Sequence, residues 1–515
     1  MRARHYIQQA LANALQEIGL SWNAKISVER PKEEKFGDMS TNAAMVLGKS
    51  AGEKPQELGE KIRQQVLATC AEIEDIQIAG PGFLNFFFYS GFWQQTCFDV
   101  LDSRESFGRL ELGQGYSVLI EYVSANPTGP LHIGHGRGAA VGDSLSRILR
   151  FSGYNVATEY YVNDVGRQIA TLGKSVWVRY LQLLGEEAVL EEQSYKGAYI
   201  WDLAKEVFNR YDRKLLEEDE FRAVEICRQI ALEIVLQWIA RDLQEFRTQH
   251  DHWFFEQDLV SRDQVNNIMD YLARNGYAYY LDNALWFRSS SLGDDKDRVL
   301  RKSDGELTYF ASDIAYHAEK IRRGFDMLID VWGADHHGYV SRIKAAVQAL
   351  GYSPERLHMI LIQLVNLLRN GEYVSMSTRE GDFETLSDVC AEVGVDAARF
   401  IFLSRKSDSH LDFDLDLLKQ KSMDNPVYYV QYAYARICSV YKKANELEIS
   451  LGSISPEILA YLNTREDINL LKSMERFPEV VESAAKNLSP HFITYYLQEL
   501  AGVLHRYYNK HRVLN

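Results

Sequence analysis

His132 and His135 stand three residues apart in the run His132-Ile133-Gly134-His135. On the first turn of a helix that spacing puts both imidazoles on one face. Gly134 between them lets a bulky, flat ligand approach the backbone. Two imidazoles beside the unpaired N–H groups of a helix start suit a triphosphate that is losing pyrophosphate, because negative charge accumulates there in the transition state. The plainer alternative makes one histidine a helix cap and the other a surface residue.

The elements around this pair are legible. Residues 118–123 form an apolar run that reads as a buried strand. A Pro/Gly-rich turn follows from Asn126 to Pro130, and then a helical pattern opens near Gly134 with Ala139, Val141, Leu145, Ile148 and Leu149 on its apolar side. Strand, tight turn and helix begin a dinucleotide-type βαβ unit with an anion site at the helix N-terminus. Residues 156–162 read as a second strand. Residues from about 172 to 250 are long, charged and helical in pattern, a helical insertion between the two halves of the sheet. The second half repeats the plan, with a helix over 311–322, a strand over 327–332, a turn over 333–338, a helix over 340–350 and a strand over 359–368. Asn370-Gly371 is a hairpin signal. The expectation is an α/β fold with a doubly wound parallel sheet, its ligand at the carboxyl ends of the strands.

Residues 1–112 read as a small α/β domain. Helical patterns lie near 5–18, 41–49 and 55–70, with a strand over Ile73–Ala79 and a tight turn at Gly80-Pro81-Gly82. At least two of Phe83, Phe86 and Phe88 read as core. From about Leu386 strand patterns cease, and helices rich in Tyr and Phe continue to Asn515. The predicted division is therefore 1–112, 113–385 and 386–515, the last an all-α bundle.

ANPTGPLHIGHGRGAAVGD resembles the HIGH region of class I aminoacyl-tRNA synthetases, specifically the bacterial-type arginyl-tRNA synthetase family. NDVGRQI, GDDKDRVL, WGADHHGY and SHLDFDLDL extend the resemblance over nearly the whole chain. It implies a Rossmann-type catalytic domain, an N-terminal domain that touches the tRNA D-loop and a helical anticodon-binding domain beginning near Gly394. It also implies that arginine attacks ATP to give arginyl-adenylate, which then passes to tRNA(Arg).

By the same resemblance, Glu121, Asn126, Tyr309 and Asp313 bind arginine, with His336 where the family often has glutamine. A guanidinium is planar, permanently charged and rich in donors, so it calls for carboxylates in its plane and an aromatic ring on its face. Tyr309 and Asp313, four apart, share a helix face. Left without the resemblance, the plainer alternative has Asp313 capping that helix and Tyr309 packing in the core. Phe83 and Asn85 are candidates to hold an unstacked tRNA base, which an aromatic face and a side-chain amide do well.

The family's second motif, a lysine-bearing loop that steadies the triphosphate, corresponds to Ser375-Met376-Ser377-Thr378-Arg379. Ser375 and Thr378 stand at both lysine positions, and Gly129 stands where some arginyl enzymes place a compensating lysine. Arg379 is the cation left on the loop, and Arg137 is another near the helix start. Family members usually continue past the HRVL at the end of this chain, which marks the C-terminus as a candidate truncation. Mg2+ is expected with the phosphates of ATP, and no metal site of the protein's own is expected.

Composition bounds the rest. The 515 residues carry a formal net charge of −15, which argues against a generally basic nucleic-acid binder but leaves room for a local basic face. There is no run of eighteen apolar residues, and Gln8, Gln9, Asn13, Gln16 and Glu17 interrupt any signal-peptide core. Five scattered cysteines without a CxxC fit neither a zinc site nor a disulfide framework. A cytoplasmic monomer without membrane contact is the expectation. Two alternatives stand beside it, a class I synthetase for another amino acid and a tRNA-binding paralogue whose catalytic loop has decayed.

Overall fold

The computed structural model describes residues 2–374, 384–449, 452 and 454–514. Its chain divides into two units, residues 1–110 with 430–483 and 495–515, and residues 111–429 with 484–494.

The first unit begins with α1 (Arg2–Glu17), which buries Ile7, Leu11 and Leu15 on one stripe, the 3.6-residue pattern of an amphipathic helix. It shares a core with β1 (Val28–Glu29), β2 (Met39–Thr41), β3 (Ile73–Ala79) and β4 (Phe83–Phe88), an antiparallel sheet in the order β1-β2-β4-β3. The helices α2 (Ala43–Ala51), α3 (Pro55–Thr69) and α4 (Ser90–Ser103) complete this part. On β4, Phe86 and Phe88 are core and Phe83 is exposed.

The second unit is built on a parallel sheet. Its strands are β5 (Ser117–Glu121), β6 (Asn155–Val162), β7 (His252–Phe255), then β11 (Met327–Gly333) and β12 (Leu357–Ile362), in the order β12-β11-β5-β6-β7. Val118, Leu119 and Ile120 are all buried, the continuous apolar run of a strand covered on both faces. The helix α5 (Ile133–Phe151) returns the chain from β5 to β6. It lies so close that a Cβ on Gly142 would stand 2.2 Å from the Tyr122 ring, so only glycine fits there.

The helical insertion consists of α6 (Arg167–Leu183), α7 (Ala198–Tyr211) and α8 (Glu220–Glu245). It joins β6 to β7, inside the first half of the sheet rather than between the halves, because the short aromatic run His252–Phe255 supplies a third parallel strand that the sequence pattern hid. The short helices α9 (Glu256–Ser261) and α10 (Gln264–Arg274) lead to a small antiparallel sheet of β8 (Ala278–Leu281), β9 (Ala284–Phe287) and β10 (Arg298–Arg301). Then α11 (Tyr309–Arg322) and α12 (Val340–Ala349) flank β11.

The single strand expected over 359–368 is two. β12 ends at Ile362, and β13 (Val365–Arg369) belongs to another sheet, with β14 (Glu372–Tyr373) and β15 (Leu411–Asp414). Asn370 and Gly371 turn the β13–β14 hairpin with positive φ at both positions. β15 also shows that strands do not end at Leu386. Its alternation of buried Leu411 and Phe413 with Asp412 and Asp414 is too short to stand out among helices, and it pairs in parallel with β13. The rest is helical, with α13 (Leu386–Val393) and α14 (Val395–Phe402) before β15. After it come α15 (Leu415–Lys419), α16 (Pro426–Glu446), α17 (Pro456–Leu459), α18 (Arg465–Glu475), α19 (Phe477–Lys486) and α20 (His491–Lys510).

Candidate active site

His132 is the N-cap of α5, with extended backbone, and its Nδ1 accepts the Gly134 N–H at 3.1 Å. The His135 Nδ1 in turn accepts the His132 N–H at 3.3 Å. The two rings stack with centroids 3.7 Å apart. The plainer alternative therefore describes half of the site. His132 does cap the helix, while His135 is a half-buried partner stacked on it and not a surface residue. Because each Nδ1 accepts, each neutral ring carries its proton on Nε2. Burial pushes both imidazoles below their usual pKa, His135 strongly and with His132 adding to the effect. The helix start thus offers neutral N–H donors rather than imidazolium charge.

Arg137, the second cation considered for the phosphates, is elsewhere. It is fully buried and donates to the carbonyls of Gln363, Ser409 and Lys406 at 2.8–2.9 Å. Burial lowers its pKa to about 10. Its role is to tie α5 to the break between β12 and β13. Ser375, Met376, Ser377, Thr378 and Arg379 lie outside the described residues. The chain beyond them is anchored beside the histidines, where the Leu386 N–H donates to the Leu131 carbonyl at 2.8 Å and Thr385 bridges to His132.

Three carboxylates of the central strands lie in register, Glu121 at the carboxyl end of β5 and the other two within their strands. Glu121 on β5 is paired with Glu159 on β6 and with Asp330 on β11. Across this row lies one face of α11, which presents Asp313, Tyr316, His317 and Lys320 at helical spacing. Lys320, wholly buried, donates to Glu121 at 2.5 Å and Asp330 at 2.7 Å. His317 Nε2 meets Asp330 at 2.9 Å. Tyr316 and Arg323 both hold Glu159. Lys320 pairs with Glu121 and Asp330 and Arg323 with Glu159, while Asp313 accepts from the Tyr339 hydroxyl.

The electrostatics follow from these pairings. Burial works to raise every carboxyl here. At Asp330 the neighbouring Lys320 and His317 outweigh it and hold the group well below the carboxylate range. At Glu159 Arg323 and Tyr316 do the same. Glu121 and Asp313 come out raised, since burial dominates over Lys320 at the first and over the Tyr339 hydroxyl, 2.6 Å away, at the second. The cluster therefore has an unmet demand for positive charge at those two groups.

Of the residues expected to bind a guanidinium, the structure brings Glu121 and Asp313 to one cluster, with His336 near enough to Asp313 to favour its charge. Tyr309, at the start of α11, is 65 % exposed and so not core. Asp313 does not cap α11, whose N-cap is Thr308. Asn126 is exposed on the turn after β5, its carbonyl accepting the Thr128 N–H. Sequence reasoning missed Glu159, Tyr316, His317, Lys320, Arg323 and Asp330. The signal was present in the polar stripe at 313, 316, 317 and 320 on a helix that has to cover a sheet, and in a lone aspartate within the apolar strand MLIDVWG.

In the first unit, Phe83 and Asn85 line a cleft of about 510 Å3 together with Phe36, Arg30 and Lys32. Asn85 is buried and accepts from the Ser40 hydroxyl at 2.7 Å, whereas Phe83 and Phe36 are each 40 % exposed.

Residues 99–414 match the model for the class I (R) tRNA synthetase catalytic domain, residues 430–515 the DALR anticodon binding domain and residues 5–88 the arginyl tRNA synthetase N-terminal domain. An arginine–tRNA ligase of Solidesulfovibrio magneticus is 53% identical over 515 residues, covering 100% of this chain and 93% of that one. One from Oleidesulfovibrio alaskensis is 53% identical over 100% of this chain and 94% of its own. The Thermus thermophilus arginyl-tRNA synthetase structure has the same fold, with a TM-score of 0.73 at 21% identity over 99% of this chain and 92% of that one. With its two-histidine helix start, its acidic cluster and matches along almost its full length, the chain belongs to the class I arginyl-tRNA synthetase family.

Proposed function

We propose that this chain activates L-arginine with ATP and esterifies it to the 3′-terminal ribose of tRNA(Arg). The observation that carries the reading is the acidic cluster, where Glu121, Asp330 and Glu159 share Lys320 and Arg323, Asp313 lies on the facing helix, and Glu121 and Asp313 are raised. A guanidinium with an adjacent ammonium supplies the missing positive charge. Asn126, Tyr309 and His336 complete the pocket at its exposed side.

The arginine carboxylate attacks the α-phosphorus of ATP. A carboxyl oxygen–phosphorus bond forms, the bond to the bridging oxygen breaks, and pyrophosphate leaves. His132 and His135 donate from Nε2 to phosphate oxygens as charge builds, and Gly134 leaves the helix start open to the nucleotide. Ser375, Met376, Ser377 and Thr378 contribute to ATP binding, and Arg379 is the cation offered to the phosphates. The terminal ribose hydroxyl then attacks the mixed anhydride and AMP departs. Positioning and charge stabilisation supply the rate, without a covalent protein intermediate. Magnesium arrives with the ATP substrate. Residues 1–112, with Phe83 and Asn85, hold the tRNA elbow, and the helices of residues 430–515 the anticodon. The setting proposed is a cytoplasmic monomer.

Arginine-dependent ATP–pyrophosphate exchange, run with and without tRNA, tests this. Exchange that requires both arginine and tRNA supports it. Absence of exchange with tRNA still bound favours the second reading, a binder whose loop has lost both lysines to Ser375 and Thr378.

A further inference from the structure

Three in-register carboxylates on adjacent strands would repel one another, and two of them need a counter-charge to stay in one place. Lys320 is the only Lys or Arg side chain that bridges two of them among the described residues. Its ammonium has three donors. One goes to Glu121 and one to Asp330, while the charge also sits 4.4 Å from the Tyr316 ring. Asp330 is fixed from its other oxygen by His317, and His317 is fixed in turn by the Asp313 carbonyl at 2.8 Å. The second oxygen of Glu121 accepts the Ser124 hydroxyl at 2.8 Å. Each member of the chain is therefore held by the next, and of the three carboxylates only Glu121 is the last residue of its strand, beside the turn that carries Asn126.

We propose that Lys320 is a positioning residue for arginine selection, holding the Glu121 carboxylate charged and oriented toward the substrate from behind, with Asp330 and His317 as its anchor. This rests on the arginine-pocket reading above. Lys320 does not touch the substrate. It decides whether Glu121 meets a cationic ligand as an anion, and so whether arginine is preferred over its neutral isostere citrulline.

The test is a double-mutant cycle in the exchange assay with tRNA present, on the full chain, using Lys320→Met, Glu121→Gln and the pair. Lys320→Met should raise the KM for arginine by about tenfold or more, a loss of ground-state binding, while the KM for ATP and kcat stay within about twofold. The preference for arginine over citrulline as a competitor should narrow by a similar factor. In the Glu121→Gln background, Lys320→Met should add nothing to the arginine KM, because there is no charge left to hold. A further rise in that background, or a loss of kcat equal to the change in KM, overturns the proposal. If the single variant does not fold, Glu121→Gln against the double variant still decides. Should Glu121→Gln itself leave the arginine KM unchanged, the pocket reading fails first and takes Lys320 with it, an outcome visible without any Lys320 variant.

Discussion

The helices α5 and α11 both start at the carboxyl end of the same sheet, yet they present opposite chemistry there. α5 offers neutral groups, two imidazoles locked with their acceptor nitrogens turned to the backbone. α11 offers a charged face, with Asp313 and Lys320 laid on a row of carboxylates. The difference matches what each half of the reaction needs. Charge that appears only in the transition state is best met by preorganised neutral donors, which gain most when the charge arrives. A substrate that is charged from the start is met by charge already in place, whose desolvation the Lys320 and Arg323 pairs offset.

The comparison can be broken from either side. The largest effect is expected at the helix start, where His135→Ala should lower the rate of pyrophosphate exchange by about 100- to 1,000-fold with little change in the KM for arginine. Asp313→Asn is next. It should raise the arginine KM by about 10- to 100-fold, the equivalent of one charge-assisted hydrogen bond, with kcat much less affected. Steady-state kinetics in both substrates would show whether the two helices separate in this way, and a matched loss of kcat and binding in both variants would end the distinction.

Gly142→Ala sharpens the comparison by moving α5 as a body. The new methyl group meets the Tyr122 ring, so a loss of about 1–3 kcal/mol in unfolding free energy is expected, read by denaturant melts, along with slower exchange.

The smallest effect is on pH. Glu121 and Asp313 have raised pKa values in the folded protein, and burial brings neighbouring Glu256 up to about 7. Glu121 and Asp313 take up protons earlier than free carboxylates as pH falls, so arginine KM should rise with falling pH sooner than free carboxylates would predict, while ATP KM stays flatter. The histidines act on stability with the depressed-pKa sign. Their contribution is complete above the unfolded value of about 6.5 and is lost as pH falls below it. Melts of the wild type against His132→Asn/His135→Asn between pH 8 and about pH 5 would read that slope.

Much of this was legible in the chain. The buried run of β5, the Asn126–Pro130 turn and the histidine pair are local features, and local pattern places them. The carboxylate row is not local. Glu121, Glu159 and Asp330 become neighbours only through parallel strand register, and no spacing along the chain announces it. Arg137 reads as a surface cation beside a nucleotide site until the three carbonyls that surround it are seen to come from distant segments. The two short strands missed, His252–Phe255 and Leu411–Asp414, have too few residues for a period to emerge and owe their state to the partners that pair with them.

Those carbonyls also set an order of events during synthesis. Arg137 lies in the first helix of the parallel sheet, but its acceptors are 226 to 272 residues further on. While the ribosome is still making the insertion and α11, the guanidinium has no internal partners and must remain hydrated, so α5 cannot settle against its final neighbours. The catalytic unit is therefore committed late, once Ser409 has emerged, and a nascent chain stalled before that point should keep the HIGH segment open to protease.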